Sequence, residues 1–202
     1  MELGLLAQMY LMNDGEELTP EQREVELVPH NPEWEDLANQ ESQQILDCLS
    51  ISVIGIYHIG STSVPGIKAK PIIDFVVEVE NMEELIKEKG NLEGIGYNSK
   101  GEYGIPGRQF FTKDTKGERT HHLHVFQSGH PDIERHLVFR DYLRANPEAA
   151  RAYEELKIQL AERFPDKSNM YTEAKSDFIL SMDEVARYWL EQNGFRKDPD
   201  RT

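Results

Sequence analysis

The stretch HIGSTSVPGIKAKPIID (residues 58–74) decides the fold. Before it, Ser52 to Ile59 is rich in Ile and Val and reads as a strand. Its last residues open a second strand, Ile72 to Val79, which is almost continuously apolar, as a buried central strand is. Between the two lie a histidine, three hydroxyls, two lysines and turn-forming glycines and prolines. Gly60 permits a sharp backbone turn and close approach of a ligand. With Ser61, Thr62 and Ser63 it has two readings: a cradle for a phosphate, or a turn that the hydroxyls merely cap.

Helical signals flank this pair of strands. Asn31-Pro32-Glu33 combines a cap, a first-turn proline and an acid at the positive helix end, predicting a helix to about Leu49. Met82 to Lys89 reads as a short helix and Gly94 to Tyr97 as a short extended piece. Arg108 to Thr112 and Thr120 to Phe126 read as strands around the turn KDTKG. Three helices follow: Ile133 to Arg144, Asn146 to Phe164, and Asn169 to Leu190. Ala149, Ala152, Tyr153, Leu156 and Leu160 keep helical spacing in the second. The order predicts an α+β fold, a sheet with a helical C-terminal part. Residues 1–24 are expected to be peripheral and 25–182 to form the domain. Residues 183–202 would be the end of the last helix and a tail.

The chain has 202 residues, 37 acidic against 22 basic, for a formal net charge of -15. Such a surface repels nucleic acid and anionic lipid at long range, so general nucleic-acid binding is not expected. It leaves room for a small anion in a local basic pocket. No apolar run approaches the ~20 residues of a membrane span, so no membrane partner is expected, and the apolar LGLLAQMYLM (3–12) lacks the flanks of a signal peptide. The single cysteine, Cys48, rules out a disulfide framework within the chain and predicts a cytoplasmic setting. Its apolar surroundings suit a structural thiol.

Several side chains are candidates for chemistry. Asp74 lies within an apolar strand, and a carboxylate there needs a metal, a cation or several donors. Glu78 shares its face, but four strand residues span roughly 13 Å, too far for both to chelate one ion. The natural second position, 76, is valine. On Thr120–Phe126, alternation places His122 and His124 on one side, able to flank a metal or a phosphate or to be ordinary sheet histidines. Lys70, Arg108, Arg140 and Lys175 are candidates to neutralise an anion. Arg140 falls near the Ile133/Leu137 stripe and Lys175 between Tyr171 and Phe178. A cation on such a stripe either snorkels or meets a buried anion. His58 is expected to orient the turn or line the pocket.

Taken together, VPHNPEW (28–34), HIGSTSVPGIKAKPIID (58–74), HHLHVF (121–126), HLVFRDYLRANP (136–147), YEELKIQLAERF (153–164) and YTEAKSDFI (171–179) resemble the GrpB family of bacterial proteins. The resemblance implies a nucleotidyltransferase-like mixed β-sheet flanked by helices. In that superfamily a Gly-Ser turn after the first core strand holds nucleotide phosphates, and a D-x-[DE] pair on the next strand binds magnesium. Gly60, Ser61 and Asp74 match; Val76 departs, removing the second carboxylate and with it the usual two-metal mechanism. Some family members are fused to dephospho-CoA kinase, which implies a nucleotide or CoA-related context. The expectation is a nucleotidyl- or phosphoryl-transfer site for a small phosphorylated ligand or nucleotide. Gly60, Ser61, Thr62, Ser63, Lys70, Arg108, Arg140 and Lys175 would hold phosphate. Asp74, with His122 or His124, would hold a divalent cation, Mg or Mn. The alternatives are a non-catalytic binding protein that has lost the two-metal site, and a mononuclear metal hydrolase using Asp74, His122 and His124.

Overall fold

The computed structural model describes residues 24–194, so most of the expected peripheral segment and the tail beyond Gly194 lie outside it. The elements are α1 (Glu33–Cys48), β1 (Val53–Ile59), a 3-10 turn (Ser61–Ser63), β2 (Ile73–Val79), α2 (Met82–Gly94), β3 (Tyr97–Ser99), β4 (Gln109–Thr115), β5 (Glu118–Gln127), α3 (Pro131–Ala145), α4 (Pro147–Arg163), α5 (Ser168–Ala174) and α6 (Ser176–Asn193). The strands form one five-stranded sheet in the order β1-β2-β5-β4-β3. β2 and β5 pair in parallel, and the other neighbours are antiparallel. This is the expected α+β class: a mixed sheet flanked by helices with a helical C-terminal part.

Both faces of β2 are covered, which is why its sequence is so apolar. Ile73, Phe75, Val77 and Val79 point to one face and pack with Leu123 and Val125 of β5, Trp34, Ala38 and Ile45 of α1, and Leu85 and Leu92 of α2. On the other face Val76 packs with Tyr57, Ile59, Phe126, and Ile133 and Leu137 of α3. The segment after the 3-10 turn joins the C-terminal helices: Val64 and Ile67 pack with Leu143, Ala150 and Tyr153. The residues between β1 and β2 are therefore anchored in a core of their own.

The element boundaries differ from expectation in instructive places. Gly94 ends α2 instead of starting an extended piece. β4 and β5 run on to Thr115 and Glu118, because the turn needs only Lys116 (φ 55°) and Gly117 (φ 87°), a two-residue connection with both φ positive. Asn31 accepts from the Glu33 amide at 3.0 Å and so caps α1. Asn146 does not cap α4 with its side chain; its amide donates to the Tyr142 carbonyl at 2.8 Å and closes α3. The last helix is two helices, broken at Lys175. The break lets the halves serve different cores: Tyr171 packs with Val25 and Leu160, Phe178 and Ile179 with Tyr153 and Leu143. No helix among the described residues is long and apolar enough to cross a membrane.

Candidate functional site

The Gly60 backbone has φ 71° and ψ -171°, a region open essentially to glycine alone. A Cβ here would also collide with the Asp74 carboxylate, its nearest atom being Oδ2. The turn and the strand aspartate are thus in direct contact, across the pairing of Ile59 with Asp74.

Most of the turn's hydroxyls are spent on holding it. Ser63 Oγ donates to the Gly60 carbonyl at 2.7 Å, and Thr62 Oγ1 donates to the Ile72 carbonyl at 3.2 Å. Thr62 Oγ1 also sits 2.9 Å from His58 Nε2. Having donated its proton to Ile72, the threonine must accept from His58, which assigns the histidine a protonated Nε2. Burial pushes the His58 pKa down to about 4, against an opposing pull from Asp74, so the ring is neutral at physiological pH. His58 pairs in register with Phe75 and therefore faces away from Asp74. It holds the turn through Thr62 from the face opposite Asp74. Ser61 is half-buried and lies within hydrogen-bonding reach of the Tyr153 hydroxyl.

Asp74 stands directly opposite His122 across the parallel strands. Asp74 Oδ1 lies 2.8 Å from His122 Nδ1, and the two side chains are 26% and 24% exposed. Burial acts to raise the Asp74 pKa, but the His122 hydrogen bond, with the positive charge of Lys70 beside it, outweighs this and holds the carboxyl below its ordinary value. The carboxylate therefore accepts, Nδ1 of His122 donates, and Nε2 is turned away from Asp74.

His124, two residues on, has a different environment. Its Nδ1 lies 3.1 Å from Arg108 Nη1, and because a guanidinium can only donate, this nitrogen accepts. Burial, with His136 and Arg108 adding to it, holds the His124 pKa well below the ordinary histidine value. His122 and His124 share a sheet face, but each spends Nδ1 on a separate partner. Among the described residues no group of three or more His, Cys, Asp and Glu side chains is arranged to hold a metal ion. Glu78 is occupied at the far end of β2, accepting from Ser128 Oγ at 2.6 Å. Val76, between the two acids, is fully buried in the α3 core.

The expected cations divide. Lys70 and Lys175 both lie over the Tyr171 ring, at 5.3 and 4.4 Å from its centroid. Lys70 also donates to Ser168 Oγ at 3.1 Å. Burial, and then the charge of Lys70, push the Lys175 pKa down to about 7, with Asp74 pulling it back up. Arg108 is placed beside His124 by the carbonyls of Glu102 and Tyr103. Arg140 does not snorkel. It is 1% exposed, donating from Nε to Asp141 at 2.8 Å and from Nη1 to the His58 carbonyl at 3.1 Å.

Three residues near the turn escape sequence reasoning. Arg144 Nε donates to the Ser63 carbonyl at 2.8 Å. It lies four residues after Arg140, so the i,i+4 pair marks one helical face that grips the turn. Tyr153 keeps core spacing, which masks its polar end. Lys157 is 2% exposed and donates to the Lys68 carbonyl; burial lowers its pKa to about 8.

Fold and site together define an α+β protein with a mixed five-stranded sheet and one strand carboxylate paired to a histidine beside a glycine turn. The chain belongs to the GrpB family: the family model described as GrpB protein matches residues 24–184. UPF0157 protein YqkA of Bacillus subtilis is 42% identical over 167 residues, covering 83% of this chain. The chain spans only about half, 48%, of that relative's length. Glutamate-rich protein GrpB of Alkalihalophilus pseudofirmus is 38% identical over 160 residues, covering 77% of this chain and 92% of that one. A dephospho-CoA kinase of Mycobacterium bovis matches at 25% identity over 82% of this chain and 46% of its own. The crystal structure of conserved protein GrpB from Enterococcus faecalis superimposes with TM-score 0.76 at 40% identity, covering 81% of this chain and 99% of that one.

Proposed function

We propose that this chain is a nucleotidyl- or phosphoryl-transfer protein whose site is the Gly60–Ser61 turn together with Asp74. The observation that carries the reading is the contact between the glycine turn and the strand carboxylate, which leaves no room for a side chain at position 60. Lys70 and Lys175, whose charges both act on Asp74 or are acted on by it, supply positive charge for phosphoryl oxygens. The match to a protein named dephospho-CoA kinase supports a nucleotide-related ligand.

The residues present fit one magnesium or manganese ion, held by Asp74 and otherwise by phosphate oxygens and water, as magnesium sites commonly are. They do not fit two. Such an ion would neutralise phosphate charge; the chain's own part is to position the phosphate at the turn and keep Asp74 ionised through His122. A second reading, a binding protein without turnover, is favoured by Val76, whose burial seals the place of a second acid. The mononuclear hydrolase is the least supported, because His122 and His124 direct their Nδ1 atoms to different partners.

Labelled nucleoside triphosphates, magnesium or manganese, and candidate acceptors test the choice. Transfer by the wild-type protein that falls about 100-fold in Asp74→Asn supports the enzyme. Wild-type turnover no greater than that of Asp74→Asn sinks it.

A further inference from the structure

A second feature borders the Asp74–His122 pair and has no part in the phosphate reading. The segment GEYGIPG (101–107) stays paired to β4 through Phe110, which donates to the Gly101 carbonyl at 2.8 Å, and then bulges from the sheet. Tyr103, in this bulge, has φ 45°, a left-handed conformation that bulky residues seldom adopt. It is held there by its own neighbours. Arg108 Nη2 donates to the Tyr103 carbonyl at 2.6 Å and Nε to the Glu102 carbonyl at 3.1 Å, while Glu102 Oε1 accepts from the Gly107 amide at 2.7 Å.

The result is a large aromatic side chain kept 52% exposed. One face of Tyr103 stacks on Phe110, with centroids 5.3 Å apart and planes 24° from parallel. Phe110 in turn meets His122 at 5.5 Å and His124 at 4.9 Å. The register places Phe110 and Thr112 of β4 on the same face as His122 and Asp74. Thr112 is 1% exposed, and its hydroxyl oxygen is buried without a hydrogen-bond partner among the described residues. From β1, which ends at the glycine turn, to β4 is three strand spacings, about 14 Å. A sugar and a phosphate chain can cross that span.

We propose that Tyr103, seated on Phe110, is the stacking platform for the planar heteroaromatic ring of a nucleotide whose phosphates lie at the Gly60–Ser61 turn. The inference rests on the phosphate reading above and names its ligand class: a nucleotide in preference to a simple polyphosphate or a sugar phosphate. Stacking on an aromatic ring tolerates any base, because every base has a π-face. The platform therefore selects for the presence of a base more than for its identity.

Calorimetry with the full chain tests it, using the four common ribonucleoside triphosphates with magnesium, the corresponding nucleosides, and inorganic tripolyphosphate. Tyr103→Ala is expected to weaken nucleotide binding about tenfold, to leave tripolyphosphate binding unchanged, and to be rescued by Tyr103→Phe. Tripolyphosphate binding as tightly as every nucleotide, or nucleotide affinity unaltered in Tyr103→Ala, overturns the platform and leaves the phosphate reading standing. Nucleosides that bind through Tyr103, with no affinity for tripolyphosphate, sustain the platform and overturn the phosphate reading. No binding of any of these compounds overturns both.

Discussion

Gly60→Ala is expected to lose about 3 kcal/mol of stability and to displace the Asp74 carboxylate from its position beside the turn. Two costs combine. The φ 71°, ψ -171° conformation is one that an L side chain pays about 1–3 kcal/mol to hold. The new methyl would also overlap Asp74, which cannot retreat freely because Oδ1 is held by His122 at 2.8 Å. Urea denaturation reads the first effect as a lower midpoint at unchanged slope. The His122 ring signals in NMR read the second, since breaking the Asp74 hydrogen bond moves them. A variant with wild-type stability and wild-type His122 signals would show that the turn and the carboxylate do not meet as described.

Arg140→Leu is expected to cost about 2–4 kcal/mol. The guanidinium is almost wholly buried and donates to the carbonyl at the end of β1, just before the glycine turn. Leucine fills part of the space but leaves the His58 carbonyl without this donor and Asp141 without its partner. Had this arginine been chiefly a phosphate ligand, its loss would weaken binding and spare stability. The urea midpoint of the variant separates the roles: a marked fall is the expected result, and an unchanged midpoint would return Arg140 to the pocket.

The contrast between these residues shows what could be read from sequence. The apolar run Ile72–Val79 and the alternation in HHLHVF were legible because burial on one or both faces writes itself into spacing. The contact of Gly60 with Asp74 comes from the antiparallel register that sets Ile59 opposite Asp74. What spacing could not supply was the register between β2 and β5, whose paired residues Asp74 and His122 lie 48 positions apart. That register decides that His122, and not His124, meets the carboxylate. Arg140 reads as a snorkelling or anion-binding cation and Arg144 gives no signal, because nothing in the helix pattern reveals that backbone carbonyls of another element wait opposite them. Lys175 looked like a mid-helix residue, and the break there arises from two separate cores on either side. Tyr103 left no periodic signal at all, being in a glycine-rich loop.

Val76 serves the α3 core, while Asp74 keeps a histidine partner and a glycine neighbour. The central claim is that the turn and the Asp74–His122 pair act as one anion pocket. It is tested most directly by titrating isotope-labelled protein with tripolyphosphate and magnesium while following the backbone amides and histidine rings by NMR. The account predicts that the amides of Ser61 and Thr62 and the ring of His122 shift together along one binding curve. Signals at these three residues that stay fixed while others move, or that move with different affinities, would contradict it.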